Sequence, residues 1–224
     1  MSATEDLAHS LQRGCEALGL VLQPAQQRQL LDYLALLQKW NKVYNLTAVR
    51  DPAEMLRLHL LDCLAVVSPF TRAITDRLAA GLAPKVLDVG AGGGLPGVVL
   101  AICCPQVQVH CVDAVAKKMA FVQQVAAQLP LANLHAHHAR VEALQEQYTL
   151  IVSRAFASLA DFVQLTQPLL APGGAWMAMK GRQPEDEMAA LPVGIEVFHV
   201  EPVTVPGLDA ERCLVWLRPD SRGV

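Results

Sequence analysis

The chain has 224 residues, 53% hydrophobic and 17% charged, with a formal net charge of -3. That composition excludes a disordered chain, provides for one sizeable core, and argues against a broad basic surface for nucleic acid. No run of eighteen or more uncharged apolar residues occurs, and Met1-Ser2-Ala3-Thr4-Glu5-Asp6 lacks the basic start of a signal peptide, so a cytoplasmic protein without a membrane segment is expected. The six cysteines, at 15, 63, 103, 104, 111 and 213, include neither a CxxC pair nor paired metal-ligand spacing, which points to reduced thiols and no metal.

In chain order, Leu7, Leu11 and Leu18 lie at helical spacing, with Thr4 as N-cap and Gly19 as the stop. Pro24 opens a second helix through about Lys39, where Leu30, Leu31, Leu34 and Leu37 form an apolar stripe, and Trp40 ends it. The polar and aromatic run Asn41-Lys42-Val43-Tyr44-Asn45-Leu46-Thr47 leads to Asp51-Pro52-x-Glu54. That is an N-cap with proline at the first helical position, starting a third helix to about Val67. Pro69 interrupts the pattern, a short helix covers 71–80, and Gly81 to Pro84 leads into a strand. Residues 1–80 therefore form a helical extension and 81–224 the main domain.

Val86, Leu87 and Val89 suit a strand covered on both faces, followed by a glycine turn and a helix from Pro96 to about Cys103. Further strands are predicted at 107–112, 134–136, 150–153 and 176–179, separated by a helix over 115–128 and by loop or helical segments. Strands alternating with helices imply a parallel, doubly wound α/β sheet. The runs 195–203 and 213–218 flank the turn-rich Pro206-Gly207-Leu208-Asp209 with no room for a crossover helix, so they pair antiparallel at one edge. The whole is a seven-stranded, mostly parallel sheet.

The chemistry is concentrated after the first strand. Five glycines within eight residues let a ligand approach the backbone at the carboxyl end of a parallel sheet. The frame Gly92-x-Gly94-x-x-Gly97 matches a dinucleotide fingerprint, although it sits late relative to the strand. Asp88, two residues before the first glycine and near the pocket floor, would repel a pyrophosphate but attract an ammonium or a sulfonium. The frame Asp88-x-Gly90-x-Gly92-x-Gly94 therefore favours S-adenosylmethionine, which carries both cations and no phosphate. Asp113 ends the next strand, placed to accept both hydroxyls of a ribose. Arg140-Val141-Glu142 follows the third strand at the level of an adenine edge. Arg154 follows the fourth, where it would pair with Asp88, Asp113 or Glu142, or hold a phosphate or base edge of RNA. Lys180-Gly181-Arg182 adds positive charge at the same end of the sheet, while Lys39, Lys42, Arg50, Arg57, Lys117 and Lys118 are further basic positions. His135, His137 and His138 read as a solvent-side cluster rather than a metal site.

The segments Trp40-Asn41-Lys42-Val43-Tyr44-Asn45-Leu46-Thr47-Ala48, His59-Leu60-Leu61-Asp62, the 86–97 core, Ser153-Arg154-Ala155-Phe156-Ala157-Ser158-Leu159 and Met179-Lys180-Gly181 together resemble the RsmG family, also called glucose-inhibited division protein B. The resemblance spans about residues 35–182 and implies a class I S-adenosylmethionine-dependent methyltransferase fold (Rossmann-like), with a methyl group transferred to guanine N7 in 16S ribosomal RNA, free or in a 30S-type particle. It implies cofactor contacts at Gly90, Leu95, Val141, Glu142 and Arg154, to which the residue-based reading adds Asp88, Gly92 and Asp113. No metal or membrane is implied, and a monomer is expected. Cys63 stands where the family usually has serine, and Lys118 where arginine is common. A nicotinamide-dependent oxidoreductase, disfavoured by Asp88, a silent RNA-binding protein and a small-molecule methyltransferase are the alternatives. Lys42, Arg57, Lys118, Lys180 and Arg182 are the expected RNA-facing rim. No general base is assigned, because guanine N7 presents an in-plane lone pair.

Overall fold

The computed structural model describes residues 3–79 and 84–220. Seven strands form one sheet in the order β3-β2-β1-β4-β5-β7-β6. These are β1 Lys85–Val89, β2 Gln108–Asp113, β3 Leu134–His138, β4 Tyr148–Arg154, β5 Leu170–Lys180, β6 Ile195–Pro202 and β7 Cys213–Pro219. The first five are parallel, and β7 runs antiparallel to both β5 and β6. The α/β class, the seven strands and the antiparallel edge are as the sequence implied. Reversal of order at β1 and β4 opens a crevice at the carboxyl ends of those strands, where parallel sheets bind ligands.

Helices α6 (Gly97–Cys103) and α7 (Ala116–Gln128) cover one face, and α8 (Leu159–Thr166) covers the other. The N-terminal helices α1 (Ala3–Ala17) and α2 (Pro24–Tyr44) form a further layer, so that Leu11, Leu30, Tyr33 and Leu37 share one apolar cluster with Val98, Val122 and Val152. Burying this many aliphatic side chains, at about 1.5–3 kcal/mol each, outweighs the weak helix propensity of any single segment. The helical extension is thus continuous with the core of the sheet.

Local differences from the periodicity have identifiable causes. Trp40 does not end α2, because its ring packs on Tyr44 and Phe121 and the helix continues to Tyr44, where Asn45 takes a left-handed φ of 49°. The third helix begins as expected, with Asp51 accepting from the Glu54 N–H, as α3 (Pro52–Met55). It then widens into a π-helical turn over Leu56–Leu61 before α4 (Asp62–Leu64). Helix α5 (Val67–Ala79) contains Pro69 in its first turn, where a missing N–H forfeits no helical bond. The 52–75 run is long and apolar enough to cross a membrane, but 56% of its apolar window is buried inside the protein. Helix α1 starts at Ala3, one residue before the expected cap Thr4, and residues 80–83 of the lead into β1 lie outside the described residues.

The histidines require a correction. His135 and His137 are half-buried on the sheet face beside His110, which bonds His137 at 2.8 Å, while His135 bonds Gln108; His138 is exposed. Strand alternation puts 110, 135 and 137 on one face, and no long helix follows β3 to cover them. Among the described residues no group of three or more His, Cys, Asp or Glu side chains is arranged to hold a metal.

Buried polar groups tie the layers together. The Asn133 amide donates to the carbonyls of Ala101 and Val107, both at 3.0 Å, and so fixes the α6–β2 connection against β3. Asn133→Ala should lower unfolding free energy by about 1–3 kcal/mol, since it leaves two buried carbonyls without their donor. Urea unfolding followed by circular dichroism measures it, and an unchanged midpoint would show that water replaces the amide.

Candidate active site

A cleft of about 600 Å³ opens at the carboxyl ends of β1, β4 and β5, lined by Gly90 to Gly93, Leu95, Arg154, Ala155 and the stretch Met179 to Gly181. The opposite wall comes from the helical extension through Leu37, Leu46, Thr47, Leu58, His59 and Asp62, and from Arg212 just before β7. Five segments far apart in the chain therefore meet at one place. Gly90 is required at its position twice over: its φ is +67°, and a Cβ there would lie 2.6 Å from the Phe156 ring. Gly97 opens α6 against Asp88 and Cys111 too closely for any side chain.

Asp62 is the electrostatic centre of the cleft wall. Its side chain is 5% exposed, and its two carboxylate oxygens accept from Arg154 Nη1 at 3.1 Å and from Arg212 Nε at 2.8 Å. Arg154 Nη1 also donates to the Leu58 carbonyl at 3.2 Å. At the end of the π turn the Asp62 N–H goes to His59 O, and the Leu58 carbonyl accepts from the guanidinium. Arg154 thus pairs with none of its expected partners Asp88, Asp113 and Glu142. The partner comes from the helical extension, 92 residues away.

The loop after α2 is held by one buried amide. Asn41 accepts from the Thr47 N–H and donates to the Val49 carbonyl, while Thr47 Oγ1 accepts from the Val49 N–H and meets His59 Nε2 at 2.7 Å. Burial, and then the nearby Arg154 charge, lower the His59 pKa from its ordinary value, so the ring is neutral near pH 7. A neutral imidazole adds polarity to this wall without adding charge.

Neither strand-end carboxylate is in the lining of this cleft, and both hold the backbone around the glycine loop. Asp88 is fully buried, and its Oδ2 accepts from the Gly97 N–H at 2.7 Å while Oδ1 has no partner among the described residues. Burial pushes its carboxyl up to about 7, against the opposing pull of the Gly97 N–H and Arg154. The floor position expected of Asp88 is therefore corrected: the residue fastens the loop to α6 from beneath. Asp113 Oδ2 accepts from Gly92 N–H and Lys118 Nζ, both at 3.1 Å, and Oδ1 from Val115 N–H at 2.9 Å.

Of the expected site residues, Gly90, Gly92, Leu95 and Arg154 line the cleft. Asp88 and Asp113 support it from behind, and Val141 and Glu142 lie on the 3-10 turn after β3, outside the lining. Val141 packs in the apolar cluster beneath α8, and Glu142 is exposed. Among the rim candidates, Lys118 and Lys180 turn inward to Asp113 and Glu187, so they are ion-paired rather than free. Lys42 and Arg182 are exposed, and Arg57 is half-buried 4.0 Å from Glu54. Sequence reading assigned no role to Asp62, His59 or Thr47 and passed over Arg212. The available signal for Arg212 was a lone arginine immediately before the apolar run Cys213 to Leu217.

Comparison with known proteins adds a lineage. The family model described as GidB, rRNA small subunit methyltransferase G, matches residues 26–215. A protein named ribosomal RNA small subunit methyltransferase G from Acidovorax ebreus (strain TPSY) is 62% identical over 216 residues, covering 95% of this chain and 96% of its own length. The protein of that name from Albidiferax ferrireducens is 57% identical over 223 residues, covering 96% and 99%. Among solved structures, TrmN from Thermus thermophilus superposes with a TM-score of 0.52 at 21% identity over 67% of this chain and 48% of that one. Ribosomal protein L11 methylase from Lactobacillus delbrueckii subsp. bulgaricus gives 0.50 at 14% identity, over 71% and 77%. These two likenesses bear on the fold.

The raised Asp88 pKa has a sign that can be tested. Between its ordinary value of 3.8 and about 7 the folded state keeps a proton that the unfolded chain has lost, so its contribution to stability declines as pH rises through that window. From pH 5 to 7.5 the parent should lose about 2–3 kcal/mol more than Asp88→Asn, which keeps an acceptor for Gly97 and has no proton to lose. Unfolding free energies of both proteins across that range check it, and parallel profiles would show that Asp88 stays ionised.

Proposed function

The chain belongs to the rRNA small subunit methyltransferase G family, and from that membership together with the cleft we infer an S-adenosylmethionine-dependent methyltransferase acting on N7 of a guanine in 16S ribosomal RNA. The observation that carries the reading is convergence: the segments of the family resemblance, scattered over residues 35–182, all contribute to one cleft at the carboxyl end of the sheet. Its residues fit the methyl donor. Beyond Gly92 a Cβ would meet nothing nearer than the Gly90 carbonyl at 3.9 Å, so a ligand can lie directly on the loop. Leu37, Leu46, Leu58 and Leu95 give apolar walls, and Asp113 offers a fixed carboxylate behind Gly92.

When bound, S-adenosylmethionine supplies an electrophilic sulfonium methyl group. In this reading Gly90, Gly92 and Leu95 hold it along the loop, and Asp113 takes the ribose hydroxyls in place of the Lys118 ammonium. Arg154 closes the opposite side, fixed by Asp62. Val141 and Glu142 bound the adenine end, where β3 leads into their turn. Asp88 acts by fastening the loop rather than by touching the donor. The guanine N7 lone pair needs no deprotonation, so the chain's task is alignment. Effective molarities of about 10⁵–10⁸ M correspond to about 7–11 kcal/mol, enough to supply most of such a rate enhancement. The substrate is 16S rRNA, presented as such or in a 30S-type particle, and the enzyme works as a cytoplasmic monomer.

The deciding experiment compares N7-methylguanosine in 16S rRNA from cells with and without the protein, then restores it with purified protein and S-adenosylmethionine. Loss and restoration of one modified guanine is the expected result; an unchanged nucleoside profile would overturn the reading. Asp113→Ala should weaken S-adenosylmethionine by about one to two powers of ten if both ribose bonds are lost. Calorimetry showing unchanged affinity would remove Asp113 from the site.

A further inference from the structure

The cleft wall carries a charge imbalance that the methyl donor cannot correct. Its lining holds Arg154, Lys180 and Arg212 against the single carboxylate of Asp62. Lys180 is neutralised from outside by Glu187 at 2.7 Å, but Asp62 must serve both arginines, which leaves one positive charge over. A guanidinium does not lose its proton at any physiological pH, so only an anion removes the excess. S-adenosylmethionine, with a sulfonium, an ammonium and one carboxylate, brings a further net positive charge. The acceptor, an RNA strand with one negative charge per phosphate, brings charge of the sign that this wall lacks.

Arg212 is placed to receive it. It stands at the mouth of the β6–β7 hairpin, directly before β7, with a side chain 28% exposed against 21% for Arg154. Its Nε is held by Asp62 and its Nη1 by the Glu211 carbonyl at 2.9 Å, which fixes the plane of the fork. Its Nη2 has no partner among the described residues. Arg154 lines the same cleft, with its Nη1 engaged by both Asp62 and the Leu58 carbonyl.

We propose that Arg212 binds a backbone phosphate of the RNA strand that delivers the target guanine, with Asp62 as the positioning residue that aims its guanidinium. The proposal rests on the methyltransferase reading above and adds the contact by which the acceptor strand is held. A planar fork anchored on one edge meets a phosphate with the remaining donors, which a flexible lysine reproduces in charge but not in geometry. Because phosphate contacts release counterions, this one contributes to affinity in a salt-dependent way.

The test uses the full-length protein, S-adenosylmethionine and 30S subunits lacking the modification. Arg212→Gln should raise the KM for 30S subunits about tenfold or more and flatten the dependence of log KM on log salt by about one. Calorimetric affinity for S-adenosylmethionine alone should stay at the parent value. Arg212→Lys should recover the salt slope but not the full KM. Arg218→Gln, on the hairpin away from the cleft, is the control and should change neither. An Arg212→Gln protein whose KM and slope equal the parent's overturns the proposal. So does one whose S-adenosylmethionine affinity falls in step with KM, which would make Arg212 a donor contact. A lowered melting temperature with unchanged KM and slope per folded molecule would make it a structural ion-pair partner. Failure of the parent itself to methylate 30S subunits would instead defeat the methyltransferase reading, so the two failures are distinguishable.

Discussion

One carboxylate holds the walls of this cleft together. Asp62 lies almost wholly out of solvent, and a buried charge without partners costs several kcal/mol, so its two arginines are obligatory. Those arginines come from the end of β4 and the start of β7, while Asp62 itself comes from the helical extension. The pairing therefore fixes three separately built parts of the fold relative to one another at the point where a substrate enters. Replacing the triad with apolar groups could yield an equally stable protein, but one without the orientation of guanidiniums that the cleft displays.

A second constraint acts from below. The glycine loop gains its shape from positions where any side chain collides, and it is fastened to α6 by the Asp88 carboxyl and to β2 by Asp113. The Tyr33 hydroxyl donates to the Gly93 carbonyl at 2.7 Å, so the helical extension also clamps the loop. A rigid loop is what alignment-based catalysis needs, since lost positioning translates directly into lost rate. The extension is thus part of the cleft itself. It supplies the far wall, the clamp and the central anion.

The sheet was legible because its signals are local. Apolar strand runs, glycine and proline punctuation and the length of the 206–209 turn each depend on neighbouring residues, and together they specify seven strands with an antiparallel edge. The glycine loop was legible for the same reason. The partner of Arg154 was not, because an ion pair across 92 residues leaves no trace in local composition, and three nearer carboxylates offered themselves. The π turn was hidden too, because 56–61 keeps an ordinary helical pattern of leucines. Asp88 was expected near the pocket floor, and it lies fully buried outside the cleft lining. A strand residue's alternation tells which face it takes, but not whether a helix N-terminus lies between it and the pocket.

The strand order has a consequence for how the chain comes together. β6 precedes β7 in the chain, but among the described residues β7, which lies between it and β5, is its one strand neighbour. During synthesis β5 therefore waits with an open edge, and β6 emerges with no neighbour to pair with until its successor arrives. Such an interval exposes unpaired N–H and C=O groups, the feature by which nascent chains join one another. β6 carries its own protection against this: a register irregularity between Val197 and His199, glutamates at 196 and 201, and Pro202 at its end. β7 joins the hairpin to the sheet, and Arg212 directly precedes it, so the strand that completes the sheet also carries the side chain that pairs with Asp62.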